Sequence, residues 1–576
     1  MTEIKQNYLE ILEDIKKCFP SPISDPIMDG YLVHTISHFL DHIDDLKCVA
    51  PVLGVNTETC LDGTLHNVDT EKIPMLHKKV HTEIVYTTQY FPDKMSSVED
   101  VTELLMEYCK NMIIWGHGNT QVNVIPPSTI PSVVAFIASA IYNPNMIWDE
   151  YSGGFADAEI HAVSMLSNII GYDQERSGGI FTFGGTGANL YGCKLGIEKM
   201  FGGTTMKKGI REDVKIVASD VSHYSKLNVA SWLGLGTDNI VNIPTNENSM
   251  FLEDLENYLR HAFESGEKVG VILATLGTTD SFGIDDIEGI KNICDKLTIE
   301  YELDHPPFIH ADAAIGWPWI VFKDYDFESN QLGFHKRTLL SLKDSIGKIR
   351  NMYMADSIGI DFHKIGYGPY ISSVFMVKER NDLTLLSRAP EQMPYLYQFG
   401  HYHPGIYTLE SSRSAGGAMA ALANIKLLGK NGYRVLIGHI VEMTEMLRDR
   451  LEKYPFIKIL NGYNYGPVTI FRIYPPNLNA SETFQRELTV PDYKEQLEEN
   501  NIYNFHIFKY TYERAMQGEG VLLSWTDAYR YTDYSYGPRI AGLKSFIMSP
   551  WTDINAIDKV IKHVIEAELY IEKTRK

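Results

Sequence analysis

Lys364 is the residue of this sequence best placed to act as a nucleophile. It lies in DSIGIDFHKIGYGPY (residues 356–370), beside His363 and among small, turn-forming residues, with an apolar alternating segment before it and SSVFMVK after it. A lysine kept for solubility sits among other charges, whereas this one has only Asp361 close by in the chain. Held between two strands, its amine can lose its proton and attack as a nucleophile; the plainer reading is a solvent-facing lysine in a β-hairpin. Three other stretches carry chemistry that could serve it. GGTGAN (184–189) opens a helix, and glycines beside the N–H groups of a helix N-terminus make an anion site, so Gly185, Thr186, Gly187 and Asn189 could cradle a phosphate. The string is neither a Walker A loop, lacking GK[ST], nor a GxGxxG fingerprint. HADAA sets Asp312 at the end of an apolar strand, where a carboxylate is expensive to bury unless it meets a positive charge. A pyridinium nitrogen would be a fitting partner; a helix N-cap or a salt bridge to arginine is the plain alternative. SHYSKLNVASWLGLG places His223 just after another strand, where a flat imidazole can stack on a cofactor ring or simply be hydrogen-bonded.

These residues need a frame that brings them together. VKIVASD (214–220), GVILATLG (270–277), PFIHADAA (307–314) and the segment entering Lys364 read as strands with helical segments between them, and SGGIFTF reads as a strand before its glycine turn. The alternation predicts an α/β fold, a mostly parallel or mixed sheet with helices on both faces. Ligands of such sheets gather at the carboxyl ends of strands, and each candidate falls at such an end. PSVVAFIASAIYNP and FADAEIHAVSMLSNIIGY read as helices, and residues 381–412, rich in Pro, Tyr and Gly, as a long loop. From SSRSAGGAMAALANIKLLGK to the end, the pattern is helices with short strands at IKILNGY, GPVTIFRIY and LKSFIMS. The expected organisation is a helical N-terminal region over 1–110, a large domain over 111–415 and a smaller C-terminal domain over 416–576.

Composition narrows the partners. The 576 residues are 44% hydrophobic, enough for a sizeable core, and their 52 Lys and Arg against 74 Asp and Glu give a net charge of −22. That balance leaves no basic face for nucleic acid or an anionic membrane. The six cysteines are scattered without a CxxC pair, as expected of reduced thiols in a cytoplasmic protein. MTEIKQNYLEILEDIKK lacks the apolar stretch of a signal peptide, and no window reaches the roughly 18 apolar residues of a membrane span. His34, His38 and His42 share one helix face, and His77 and His81 repeat the spacing. Without a third ligand type or an HExxH string no metal is expected, and the face is expected to pack on a partner chain.

Taken in chain order, the phosphate-type turn, His223, ATLGTT, Asp312 and Lys364 have the layout of a pyridoxal phosphate site. The sequence resembles the group II pyridoxal phosphate-dependent amino acid decarboxylases, of the aspartate aminotransferase fold (fold type I). The resemblance runs over about residues 110–440, through FTFGGTGANL, SHYSKLNVASWLGLG, ATLGTTDSFGIDDI, HADAA and ADSIGIDFHK. Within the family it is most similar to bacterial tyrosine decarboxylases, through WGHGN, HKIGYGPY and YTLESSRSAGGAMAA, while residues 1–100 match poorly.

The resemblance implies a large mixed-sheet domain, a smaller C-terminal α+β domain and a homodimer with active sites at the subunit interface. It also implies roles for the matching positions. Lys364 would carry the cofactor, Asp312 would pair with its pyridine nitrogen, and His223 would stack on its ring. Thr279 and Ala314 would contact the cofactor, Thr186, Gly187, Asn189 and His363 would lie near its phosphate, and His117 and Tyr370 would border the substrate. Loss of CO2 leaves Cα in need of a proton, expected from a tyrosine of the 381–412 loop: Tyr395 first, with Tyr397 and Tyr402 as the other candidates. Phe546, in KSFIMSP, stands where the tyrosine enzymes have a small polar residue and implies a drier substrate wall. The expected activity is decarboxylation of an aromatic L-amino acid to its amine. The alternatives are a decarboxylase of glutamate or another acidic amino acid, an aldehyde synthase using the same cofactor, and a catalytically silent pyridoxal phosphate-binding protein.

Overall fold

The computed structural model describes Cys18 and residues 25–45, 90–109, 112–394, 399–534 and 537–574. The first ten strands are β1 (Thr120–Gln121), β2 (Gly178–Thr182), β3 (Val214–Ser219), β4 (Ile240–Ile243), β5 (Thr245–Asn246), β6 (Ser249–Met250), β7 (Lys268–Thr275), β8 (Phe308–Asp312), β9 (Ser357–Asp361) and β10 (Ser373–Val377). Four more follow: β11 (Ile457–Ile459), β12 (Val468–Ile473), β13 (Leu522–Tyr531) and β14 (Arg539–Phe546).

Seven of these form the large sheet in the order β2-β10-β9-β8-β7-β3-β4. β10 runs antiparallel to both its neighbours, and the remaining pairs are parallel. Near-continuous apolar runs such as VGVILA in β7 are what a strand covered on both faces requires. The period-2 alternation of a strand then divides the core. Ile216, Ala218, Val271 and Leu273 face a layer with Cys193 and Ile197 of the helix Gly185–Met200. Val217, Ile272 and Ala274 face the opposite layer with Leu255, Leu259, Ile290 and Leu297, from the helices Leu252–Glu264 and Ile287–Glu300. Because β2, β3, β7, β8 and β9 are parallel, their carboxyl ends share one edge. Thr275 pairs with Asp312, and Asp312 with Gly359. Ser373 of β10 lies between Asp361 and Thr182.

The second sheet has the order β1-β13-β14-β12-β11 and is antiparallel except for the β1–β13 pair. β1 comes from residues 120–121, so a piece of chain from the expected large domain completes the C-terminal sheet. β13 was absent from the sequence reading because LLSWTDAYRY lacks a clean apolar alternation. The helix Gly416–Leu451 links the two parts and bends at Gly429, whose φ of +51° is non-helical.

At the N-terminal end the helix Pro26–Asp45 meets the helix Val98–Glu107 through Tyr31–Glu99 at 2.7 Å and His38–Glu103 at 3.1 Å. His77, His81, Cys48 and Cys60 lie outside the described residues. Among the described residues no group of three or more His, Cys, Asp or Glu could hold a metal ion, and no helix is long and apolar enough to cross a membrane.

Among its described residues, the expected 381–412 loop contains only short 3-10 turns, at Arg380–Leu386, Pro390–Gln392 and Pro404–Ile406. Its end is fastened by a buried ion pair: Arg413 holds Glu159 at 2.6 and 3.1 Å and donates to the carbonyls of Phe181 and Met146, both at 2.8 Å. Glu159 also accepts from the Phe181 N–H at 2.8 Å. Removing one partner of a buried pair strands the other charge and costs about 3–5 kcal/mol. Arg413→Met is therefore expected to lower the denaturant midpoint of the chain, and a second change, Glu159→Gln, to restore part of the loss. An unmoved midpoint in the single variant would show that this pair does not hold the loop.

Candidate active site

A cavity of about 300 Å3 opens at the shared carboxyl edge of the large sheet. Asp312, Lys364, His223, Thr279, Ala314 and Thr186 all line it, as do Asn189, His363 and Tyr370. Asp312 and Lys364 arrive by the same logic: a parallel strand ends, the chain turns, and a polar side chain is left at the edge. Lys364 follows β9 by three residues, and its Nζ pairs with Asp361 Oδ2 at 3.0 Å. Asp361 is 1% exposed, is bonded by Ser373 Oγ at 2.5 Å and lies 3.6 Å from His363 Nε2. Burial alone would push the Lys364 ammonium down; the charges of Asp361 and Asp312, with the hydrogen bond to Asp361, outweigh it and hold the amine above its ordinary range. Asp361 shows the reverse balance: burial works against its charge, and Lys364 and His363 hold it below the usual carboxylate range. Burial lowers His223 and His363 despite the nearby acids, Asp312 for the first and Asp361 for the second. Both rings are then neutral and flat at neutral pH.

This set fits pyridoxal phosphate. Gly184, Gly185 and Thr186 bring the first turn of the helix Gly185–Met200 to the cavity wall. N–H groups there lack intrahelical partners and suit a phosphate. Gly184 has φ +114°, and a Cβ on Gly185 would stand 2.8 Å from Asp361 Oδ2, so side chains are excluded where the anion must approach. The Thr275 hydroxyl is buried without a hydrogen-bond partner, and Thr275 lines the cavity. Asp312 and Lys364 offer opposite charges to one enclosed space.

Several expectations need correction. Asn189, expected near the phosphate, instead gives its amide to Asp312 at 2.9 Å and to Ser225 at 3.2 Å, because it lies a full turn inside the helix. Gly187 does not line the cavity; its missing Cβ makes room for Thr182 Oγ1, 2.8 Å from where a Cβ would be. His117 does not line the cavity; its Nδ1 accepts from the Asn119 N–H at 3.0 Å. Burial, with Lys559 adding to it, lowers its imidazole. Phe546 is 0% exposed in the core at the end of β14, so it forms no substrate wall in this chain. Tyr402 does not line the cavity: its phenol donates to Glu159 at 2.9 Å, and burial and that carboxylate push it well above its ordinary range, so the structure does not bring it to Cα. Tyr395 and Tyr397 lie outside the described residues. The sequence assigns no role to Asp361; its position three residues before Lys364, at the end of a short strand of small and apolar residues, is the available signal.

Residues 84–325 match the pyridoxal-dependent decarboxylase conserved domain, a span that holds the glycine turn, His223 and Asp312 and ends before Lys364. The chain is 25% identical over 377 residues to an L-2,4-diaminobutyrate decarboxylase of Acinetobacter baumannii, covering 62% of this chain and 68% of that protein. It is 28% identical over 269 residues to an L-tyrosine decarboxylase of Enterococcus faecium, covering 43% of each. Among solved structures, that of Oryza sativa TDC with PLP and tryptamine superposes with a TM-score of 0.70 at 14% identity, over 96% of this chain and 99% of that one. The fold is therefore fold type I and the protein a carboxy-lyase. The chain carries a pyridoxal-dependent decarboxylase domain, and its cofactor is pyridoxal 5′-phosphate.

Lys364 must be a neutral amine to take up the cofactor, so uptake by the cofactor-free protein is expected to speed up as pH rises toward the raised pKa of that amine. Asp361→Asn removes the charge that favours the ammonium and should move this profile to lower pH; Lys364→Ala should bind without the covalent visible absorption. A profile unmoved in Asp361→Asn, or full colour in Lys364→Ala, would overturn these assignments.

Proposed function

We propose that the chain decarboxylates an aromatic L-amino acid, taking up one proton and releasing the amine and CO2. The observation that carries this reading is the character of the cavity's open wall. Phe183, Tyr370 and Ile371 line it at 45%, 50% and 49% exposure. Among the described lining residues Lys364 is the one strong cation, and it is committed to the cofactor. His223 and His363 are held neutral by burial. A second carboxylate on the substrate would thus lack a counter-charge here. A second ammonium would fare no better, since Asp361 is engaged by Lys364 and Asp312 by Asn189.

Bound pyridoxal phosphate supplies the electron sink for the bond that breaks. The chain's own part is to aim and to enclose. Asp312 would present a carboxylate to the protonated ring nitrogen, His223 would give a flat neutral wall, and Thr186 with the first helical turn would receive the phosphate. Thr279 and Ala314 would contact the cofactor, and His363, expected near the phosphate, has its imidazole centroid 4.0 Å from the ring of Tyr370, the residue expected to border the substrate. The proton for Cα is assigned to Tyr395 of the 381–412 loop.

Release of CO2 and amine, measured across the common amino acids with peroxide and ammonia followed in parallel, is expected to single out aromatic substrates with neither by-product. Turnover confined to glutamate, aspartate or 2,4-diaminobutyrate would reject the aromatic reading. Peroxide with ammonia would make the enzyme an aldehyde synthase.

The same reading includes a homodimer. The helix Ile130–Tyr142 leaves Ile130, Val134, Ile137 and Ile141 exposed at 80%, 56%, 38% and 44% along one face. A second copy of the chain is the occupant that would cover both this face and the open side of the cavity. Light scattering is expected to give twice the chain mass, and Val134→Glu with Ile137→Glu the single-chain mass. A monomeric unaltered protein would refute it.

A further inference from the structure

Asp312 does not stand alone at the end of β8. Its Oδ2 accepts from Asn189 Nδ2 at 2.9 Å and its Oδ1 from the Ala314 N–H at 3.2 Å. An ionised carboxylate only accepts, so the Asn189 amide turns its nitrogen toward Asp312 and its oxygen away. That oxygen meets His310 Nε2 at 3.0 Å. An amide oxygen also only accepts, so Nε2 carries the ring proton, and Nδ1 is left to accept from the Ser357 hydroxyl at 2.7 Å. Burial, opposed by Asp312, pushes the His310 imidazole down to about 4, which keeps the ring in this neutral tautomer. Asn189, His310 and Ser357 are at most 1% exposed, so water cannot replace any of these bonds.

The result is one chain of hydrogen bonds in which every donor points toward Asp312. The packing reserves its place. A Cβ on Gly192, on the helix Gly185–Met200, would overlap the His310 ring, and one on Gly359 would sit 3.0 Å from the Cβ of Ala188. The second amide hydrogen of Asn189 reaches Ser225 Oγ at 3.2 Å, which ties the segment carrying His223 to the same relay.

We propose that Asn189 and His310 are positioning residues: the Ser357–His310–Asn189 relay aims the Asp312 carboxylate into the cavity and fixes it as an acceptor for a ring nitrogen that bears a proton. The proposal rests on Asp312 being the partner of that nitrogen. The relay acts through Asp312 and touches neither substrate nor the bond that breaks.

The test is the dissociation constant of pyridoxal phosphate from the cofactor-free protein, by fluorescence titration, with the pH dependence of the bound cofactor's visible absorption. Asn189→Leu and His310→Leu are expected to weaken binding about tenfold or more, the scale of one lost hydrogen bond to a charged group, and to move the absorption profile. His310→Gln keeps an N–H donor within reach of Asn189 and should recover most of the loss, which a purely packing role would not. Ser357→Ala disturbs the core least and frees Nδ1, so it should give a smaller change of the same sign. Equal behaviour of the Gln and Leu variants would overturn the relay. If the Leu variants do not fold, an unchanged Ser357→Ala protein would overturn it as well. Asp312→Ala separates the two levels. Undiminished binding there removes the role of Asp312 itself, whereas weakened binding there with intact binding in the His310→Leu variant removes only the relay.

Discussion

The site depends on burying opposite charges at one edge of a parallel sheet. Asp361 is 1% exposed and Asp312 lies at the mouth of its strand, while Lys364 pairs with the first at 3.0 Å and feels the field of both. Removing such ions from water costs several kcal/mol each unless neighbours compensate. Here compensation is local. Asp361 takes Ser373 Oγ and the Lys364 ammonium; Asp312 takes the Asn189 amide and the Ala314 N–H. The parallel order of β7, β8 and β9 makes this possible, because the common direction of those strands puts Thr275 beside Asp312 and Asp361 two residues beyond the Gly359 that pairs with Asp312, all at the same edge.

That arrangement was readable in the sequence to the extent that it is local. VKIVASD, GVILATLG, PFIHADAA and the segment before Lys364 announce buried strands by their apolar runs, and a polar residue at the end of such a run marks the edge. Asp312, His223 and Lys364 were legible for this reason. Asn189 was misplaced because its neighbours in GGTGAN suggest an anion turn, while its side chain is committed by a contact with a strand 123 positions further on. Phe546 and Tyr402 failed similarly. Nothing local says that β14 ends inside the core or that Tyr402 will be captured by Glu159. β13 was missed because Asp527 and Arg530 break its apolar pattern, and its pairing with β14 decides the outcome instead.

The loop over 381–412 shows how a long connection can be both fixed and functional. Arg413 and Glu159 fasten one end in the protein interior. Glu410 accepts from Tyr191 at 2.5 Å and from Thr182 at 2.7 Å, which anchors the same end to β2 and to the helix that opens at Gly185. A tyrosine inside that clamp, such as Tyr402, is lost to chemistry because its phenol is both buried and bound. If the proposed acid for Cα belongs to this loop, it would come from a part that the clamp does not reach, a stronger constraint on its identity than the PYLY string itself.

The two ends of the cavity differ in how they are held. At the cofactor end Asp312, Asp361 and Asn189 are each bonded to backbone or to a buried side chain, so a change of residue there alters charge or position. At the open end Phe183, Tyr370 and Ile371 are half exposed and, in the proposed reading, would meet the substrate mainly by area. Apolar walls of that kind discriminate by roughly 1–3 kcal/mol per methylene-sized difference, far less than an unpaired charge imposes. Under the proposed aromatic reading, rejection of acidic and diamino substrates would come from the engaged states of Lys364, Asp361 and Asp312, and discrimination among aromatic rings from the wall. The fold fixes the reaction through the first set and leaves the second free to vary.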